Sequence, residues 1–157
     1  MSVAVDIQVA SDSADLPDEQ VIERWIVAAL DAAKPQARDI EVSVRIVDPD
    51  EMRLLNRDYR DKDKPTNVLS FPAGDIEGLP ADAPAALGDI VVCAAVVADE
   101  AREQGKSAAD HWAHMLVHGT LHLLGYDHIS DADARAMEGL EVSILSAQGV
   151  ADPYSLR

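Results

Sequence analysis

Hydrophobic and polar residues alternate at the start of the chain, where Val3 to Val9 place an apolar side chain at every second position. A period of two indicates a strand with one buried face, and the same alternation recurs from Ile40 to Ile46. Between these segments, Pro17 precedes apolar residues at helical spacing from Val21 to Leu30, which predicts a helix. The chain is therefore expected to begin as strand, helix, strand.

Capping residues and turn residues delimit the elements in the rest of the chain. Asp48, Pro49 and Glu51 suit the N-cap, N1 and N3 positions of a helix that ends near Tyr59. A segment rich in glycine, proline and aspartate predicts a long surface loop over 73–87. Two strands are predicted at 66–71 and 88–93, and three helices at 94–104, at 108–124 and from Ser130 to about 145. The pattern predicts a single α+β (α/β-like) domain over residues 1–157, with about four strands in a mixed sheet and about five helices.

The charge balance restricts the partners of the protein. The chain has 157 residues, with 13 Lys and Arg against 29 Asp and Glu, and a net charge of −16. A protein this acidic is repelled as a whole by nucleic acid and by anionic membranes, so an RNA partner requires a local basic patch. The segment from Arg53 to Lys64 is such a patch, because it carries more cations than acids.

The sequence shows no sign of secretion or of a membrane span. No Lys or Arg precedes the short apolar stretch at the N-terminus, as a secretory signal would require, and no apolar run reaches the roughly 18 residues of a transmembrane helix. The single cysteine, Cys93, excludes an intrachain disulfide. The sequence thus predicts a cytoplasmic protein without membrane contact, and leaves its oligomeric state open.

All 5 histidines lie between His111 and His128. His118 and His122 are four residues apart, which on a helix brings both imidazoles within reach of one ion. Gly125 permits a left-handed turn that can return His128 to the same face. Three imidazoles leave the fourth position of a tetrahedral site open, as in catalytic zinc sites. The spacing therefore predicts a catalytic metal site at His118, His122 and His128, on the helix that carries the histidines.

The remaining two histidines receive other roles. His114 is also four residues from His118, but that pair lacks the glycine turn that supplies a third ligand. Both a structural role and contact with a metal ligand stay open for His114. His111 lies about 10 Å from His118 along a helix axis, so it is expected to pack or hydrogen bond in the interior. Asp127 is expected either to accept a hydrogen bond from a ligand imidazole or to form a turn.

The same histidine spacing occurs in metzincin metalloproteases, in which a glutamate follows the first histidine and serves as general base. Here that position is Gly119. Because no carboxylate follows His118 to accept a proton from the attacking water, a peptidase mechanism is disfavoured. The metal site is expected to serve a different reaction.

The run from His118 to His128, His-Gly-Thr-Leu-His-Leu-Leu-Gly-Tyr-Asp-His, resembles the defining motif of the YbeY endoribonuclease family of bacterial rRNA maturation factors. Segments Tyr59–Pro72, Leu87–Val91 and Asp152–Tyr154 resemble the same family, in the same order. The resemblance implies a single-strand-specific, metal-dependent endoribonuclease that acts in 3′-end maturation of small-subunit 16S rRNA and in ribosome quality control.

The resemblance also implies a cofactor, partners and catalytic residues. His118, His122 and His128 would hold one Zn²⁺, although imidazoles also suit nickel and copper. Arg60 and His118 are the candidate catalytic residues. The expected partners are single-stranded rRNA and the small ribosomal subunit with its proteins.

Arg60, Lys62 and Lys64 are the residues expected to bind RNA. The planar fork of an arginine can hold two phosphate oxygens and stabilise charge that develops on phosphorus, and the two lysines would guide the backbone as point charges. Asp61 stands where many family members have glycine, and its charge beside Arg60 is expected to weaken RNA binding. Aromatic residues make up only 4% of the chain, so little stacking of bases and weak sequence readout are expected.

Two other functions fit the same residues. One is a metal-dependent hydrolase of another ester or amide, although Gly119 argues against peptides. The other is a non-catalytic, zinc-containing ribosome-assembly factor whose acidic surface recruits basic ribosomal proteins. The open fourth coordination position argues against a purely structural zinc.

Overall fold

The computed structural model describes residues 2–33, 39–74 and 83–154, which contain nine helices and strands. The strands are β1 (Val3–Ala10), β2 (Ile40–Val47), β3 (Val68–Pro72) and β4 (Ala85–Cys93). The helices are α1 (Glu19–Ala33), α2 (Pro49–Arg60), α3 (Ala94–Gln104), α4 (Ala108–Leu123) and α5 (Asp131–Ala147).

The predicted fold class is confirmed, and the differences concern the ends of elements. Helix α1 begins at Glu19 rather than at Pro17, because the carbonyl of Asp18 accepts its first hydrogen bonds. Strand β4 begins at Ala85 rather than at Gly88, because main-chain pairing with β2 continues past the glycine. Of the loop expected over 73–87, residues 75–82 lie outside the described part of the chain.

The sheet is mixed and has the strand order β1-β2-β4-β3. Strands β1, β2 and β4 run parallel, and β3 pairs antiparallel with β4 at one edge. Parallel strands in the middle of a sheet are covered on both faces and are therefore continuously apolar, as the buried run Ile90–Cys93 of β4 shows. The edge strand β3 lies against helix α4.

A glycine in β4 permits the close approach of β3 and α4. Gly88 has φ +141°, and a Cβ at this position would lie 2.3 Å from the carbonyl oxygen of Phe71 and 2.9 Å from Cδ2 of Leu123. Any larger residue would push the edge strand or the end of α4 away. The glycine thus sets the distance between β3 and the C-terminal end of α4, where the histidines lie.

Helix α4 lies in the middle of the molecule. It packs against β3 and β4 on one side and against α1, α3 and α5 on the others, so that most of its residues are buried. The opposite face of the sheet is covered by α2, over a smaller cluster that includes Met52 and Cys93. Because buried polar side chains are costly unless they are hydrogen bonded, the histidines of α4 require partners.

Candidate metal centre

Three histidines converge at the C-terminal end of α4. The Nε2 atoms of His118 and His122 lie 3.0 Å apart on one face of the helix. His128 follows in the loop before α5, with its ring centroid 5.7 Å from that of His118 and 5.2 Å from that of His122. One ring nitrogen from each histidine lies within 4.8 Å of the other two. The structure thus brings together the three residues that the sequence predicts as metal ligands.

The turn after α4 is formed as the sequence predicts. Gly125 has φ +98° and donates its N–H to the carbonyl of His122 at 3.1 Å. This left-handed conformation is one that glycine adopts without steric cost, and it reverses the chain toward His128. The carboxylate of Asp127 accepts the N–H of Ile129 at 3.2 Å, so of its two expected roles Asp127 is seen to form the turn.

Gly119 lies at a close contact between α4 and the sheet. A Cβ on this residue would lie 3.0 Å from Cγ2 of Ile90 and 3.3 Å from both Oγ of Ser70 and Cγ2 of Val68. Ser70 also donates its hydroxyl to the carbonyl of Gly119 at 2.9 Å. A glutamate at this position, as in a metzincin site, would therefore have to displace these neighbours, so the close packing disfavours it.

A carboxylate from α5 contacts the metal-site histidines, although the sequence analysis did not single it out. Glu141 is fully buried. Its Oε1 lies 3.0 Å from Nδ1 of His118, and its Oε2 lies 2.6 Å from Nε2 of His114 and accepts the hydroxyl of Tyr154 at 2.7 Å. His114 thus contacts Glu141, which in turn contacts the candidate ligand His118. The available signal was a glutamate at a position where the apolar stripe of α5, Met137 and Leu145, predicts a buried side chain.

The hydrogen bonds of Glu141 determine its charge and the tautomers of its neighbours. Burial raises the pKa of Glu141, but the hydrogen bonds from His114, His118 and Tyr154 outweigh burial and hold that pKa at about 2. An ionised carboxylate only accepts hydrogen bonds, so Nδ1 of His118 is the donor in their contact. Burial, followed by the neighbouring His118 and His128, lowers the pKa of His122, which favours the neutral ring that binds metals.

These features fit a transition-metal ion. Neutral imidazole nitrogens are typical ligands of zinc, and here Nε2 of His118 lies 3.0 Å from Nε2 of His122, with a ring nitrogen of His128 close by. A hydrogen bond from the opposite ring nitrogen to a carboxylate accompanies most metal-binding histidines. His118, His122 and His128 could therefore hold a metal ion.

His111 has the interior role that the sequence predicts. It is buried, and its Nε2 lies 2.8 Å from Oε1 of Glu100 on α3. Burial lowers the pKa of His111 more than the hydrogen bond to Glu100 raises it. The clustering of the histidines therefore has two causes, because metal ligands and internally paired residues share one buried helix.

A cleft of about 650 Å³ opens beside the three histidines, and Arg60 lines it from the end of α2. Strand β3 and the turn after α4 form the other walls. The structure thus brings the predicted Arg60 to the same cleft as the predicted ligands. Lys62 and Lys64 follow Arg60 in the next loop but are not among the residues that line the cleft.

Two arginines of the basic patch are paired with acids. Nε of Arg53 lies 2.7 Å from the carboxylate of Asp63, and Nε of Arg57 lies 3.1 Å from that of Asp58. Within the part of the chain that the structure describes, Arg60 and the two following lysines form no salt bridge. Arg60 at the cleft and the two lysines of the next loop therefore have no acidic partner among the described residues that competes with an anion.

Comparison with known proteins identifies the family. The family model described as "Endoribonuclease YbeY" matches residues 6–149. The chain belongs to the YbeY endoribonuclease family. The YbeY endoribonuclease of Halorhodospira halophila is 58% identical over 144 residues, which cover 92% of each chain. That of Chromohalobacter salexigens is 53% identical over 157 residues, or 99% of each chain.

A solved structure agrees with the YbeY assignment at the level of the fold. The solution structure of TM1509 from Thermotoga maritima matches with a TM-score of 0.55 at 26% identity, and the match covers 90% of this chain and 91% of that one. The family that the sequence motifs predict is thus confirmed. As a YbeY family member, the protein is an endoribonuclease, a hydrolase that acts on RNA.

Proposed function

We propose that this YbeY protein is a zinc-dependent endoribonuclease, specific for single-stranded RNA, that acts in 3′-end maturation of 16S rRNA and in ribosome quality control. The observation that carries the proposal is the shared cleft of Arg60 and the three histidines. The cytoplasm is the proposed location. None of the described helices has the length and apolar character needed to cross a bilayer.

His118, His122 and His128 would hold one zinc ion. The donor set supports zinc, since three neutral imidazoles with one coordination position left open are typical of catalytic zinc sites. When bound, zinc would supply Lewis acidity that stabilises negative charge on a phosphoryl oxygen.

Arg60 would bind and orient the phosphodiester group. Its guanidinium can donate two parallel hydrogen bonds to phosphate oxygens, and the negative charge that grows there in the transition state would strengthen them. Lys62 and Lys64, in the next loop, would contact phosphates outside the cleft. A cleft of about 650 Å³ has the size of a small-molecule pocket, so it would admit one or two nucleotides of an extended strand and exclude a duplex.

The primary experiment uses single-stranded RNA that spans the 3′ precursor junction of 16S rRNA. We expect cleavage by the purified protein, loss of cleavage with a zinc chelator, and recovery on addition of zinc. The same RNA annealed to its complement should stay intact. Metal-independent cleavage, or equal cleavage of the duplex, would contradict the proposal.

The role of Arg60 is tested with a matched arginine on the same helix. Arg60→Ala should lower the cleavage rate by about 100- to 1,000-fold, since it removes donors to the developing charge. Arg57→Ala removes the same charge one turn earlier, outside the cleft lining, and should have little effect. Equal losses of cleavage rate in the two variants would show that Arg60 acts only through the total positive charge of the helix.

A test in cells separates catalysis from ribosome assembly. His122→Ala should retain the fold but fail to restore mature 16S rRNA 3′ ends in cells that lack the parent gene. Full restoration by this variant, despite absent cleavage in vitro, would favour the non-catalytic assembly factor.

A further inference from the structure

We propose that Glu141 is a positioning residue that fixes His118 in the Nδ1-protonated tautomer, and that Tyr154 holds Glu141 in place. The inference rests on the proposed function only in taking His118, His122 and His128 as metal ligands. Its consequence is a metal affinity that depends on two residues outside the ligand set.

The contacts of Glu141 leave its carboxylate no freedom to rotate. Its Oε1 accepts from His118 Nδ1 at 3.0 Å, while Oε2 accepts from His114 Nε2 at 2.6 Å and from the Tyr154 hydroxyl at 2.7 Å. Because Glu141 is fully buried, water cannot replace any of these donors. The single carboxylate therefore connects α4, α5 and the C-terminal segment.

The tautomer of His118 decides which of its nitrogens can bind a metal. A neutral imidazole has one protonated nitrogen and one lone pair. With the proton on Nδ1, the lone pair lies on Nε2, 3.0 Å from Nε2 of His122. The opposite tautomer would direct an N–H at the site and a lone pair at Glu141. The carboxylate thus selects the ring state that completes the ligand set, and its negative charge would offset that of a bound cation.

Direct binding of a metal by Glu141 is the competing arrangement. His114, His118 and Glu141 also place possible ligand atoms within 4.8 Å of one another. The carboxylate of Glu141 and Nε2 of His114, however, lie only 2.6 Å apart. This is a hydrogen-bond distance, and Glu141 is fully buried with both of its oxygens already accepting hydrogen bonds, whereas His118, His122 and His128 all line the open cleft.

The test compares the zinc affinities of two isosteric variants, measured by competition with a chelator. In Glu141→Gln, the amide must turn its NH₂ group either toward His118 or toward the two donors on the other side. We expect zinc affinity to fall by about 10- to 100-fold. Glu100→Gln is the matched control. Glu100 on α3 accepts a hydrogen bond from His111, which lies on α4 like His118, but Glu100 touches none of the three candidate ligands. Its zinc affinity should match that of the parent.

The ring tautomer gives a second readout that a merely structural role would not change. Long-range ¹H–¹⁵N NMR of the metal-free parent should show His118 protonated at Nδ1, and Glu141→Gln should shift this toward Nε2. Tyr154→Phe, which removes one donor and leaves the contact with His118, should weaken zinc binding by a smaller factor.

Two outcomes would overturn the inference. One is an Nε2-protonated His118 in the parent protein, which can be measured even if Glu141→Gln fails to fold. The other is parental zinc affinity in folded Glu141→Gln. Neither measurement involves RNA, so failure of the inference and failure of the proposed ribonuclease function are distinguishable.

Discussion

At the scale of the residue, the backbone conformation of Asp61 lowers the stability of the folded protein. Asp61 caps α2 with φ 57° and ψ 30°, in the left-handed region that glycine adopts most easily. A glycine would adopt this conformation without steric cost. Asp61→Gly should stabilise the protein by about 0.5 to 1 kcal/mol, because it relieves the strain of a side chain at positive φ. Urea unfolding measures the change.

Asp61→Asn is the control for this substitution, since it removes the charge and retains a side chain. The gain in stability should be larger for glycine than for asparagine. Both variants should bind RNA more tightly than the parent, because both remove the negative charge beside Arg60. A glycine variant no more stable than the parent would show that the left-handed conformation is not strained.

Two helical glycines provide a second prediction at the residue scale. In Gly119→Ala the new methyl group would lie 3.0 Å from Ile90 Cγ2, and overpacking of this kind costs about 1 to 3 kcal/mol. In Gly139→Ala nothing lies within 4 Å of the added Cβ, so the better helix propensity should stabilise α5 by up to about 1 kcal/mol. Glycine-to-alanine substitution should therefore lower the free energy of unfolding at position 119 and raise it at position 139, as measured by denaturant unfolding. Stabilisation by both would disprove the close packing of α4 on the sheet.

At the scale of the element, α4 is a buried helix that carries polar side chains toward partners on its neighbours. His111 contacts Glu100 of α3, and His114 and His118 contact Glu141 of α5. Helices α3 and α5 each contribute a carboxylate that a histidine contacts. The helix is therefore held in position by ionisable groups as well as by apolar packing, and its stability should depend on pH.

The pH dependence follows from the sign of the shift at His111. Burial lowers the pKa of His111 in the folded protein, so below its unfolded value of about 6.5 the unfolded chain binds the proton more readily. The stability that neutral His111 provides is therefore complete above about pH 6.5 and is lost as the pH falls below that value. We expect the free energy of unfolding to decrease more between pH 7.5 and pH 5.5 in the parent than in His111→Gln. Equal decreases would contradict a neutral buried His111.

At the scale of the whole molecule, RNA binding opposes the net charge of −16. Arg60, which lines the cleft, and Lys62 and Lys64 in the next loop form no salt bridge among the described residues. With about 0.7 counterions released per contact, three cations would give a loss of affinity of about 20-fold between roughly 50 and 200 mM salt. Fluorescence anisotropy of a labelled single-stranded RNA, in a His122→Ala background that prevents cleavage, measures this dependence.

Lysine variants locate the contacts. Lys62→Ala should reduce the salt effect to about 7-fold, since one phosphate contact is removed. Lys106→Ala carries the same charge change but lies after α3, away from the lining of the cleft, and should leave the salt effect unchanged. A loss above about 1,000-fold in the parent would indicate many more phosphate contacts than these three cations can make.

The sequence by itself determined the elements, the three histidines of the candidate metal centre and the family. These depend on local signals, namely the period of apolar residues, a capping residue such as Ser130, and spacings of four residues and one glycine turn. Helix geometry converts such spacings directly into positions in space. The roles of His118, His122 and Gly125 could therefore be predicted from one short segment of the sequence.

Only the tertiary structure decided what surrounds those histidines. Glu141 lies 23 residues from His118 along the chain, and Tyr154 lies 40 residues from His114. Arg60 reaches the cleft from a helix on the opposite face of the sheet. Contacts of this kind depend on how whole elements pack, and no periodicity along the chain encodes them. The sequence thus specified which nitrogens could bind a metal, and packing specified the proton positions that leave them able to do so.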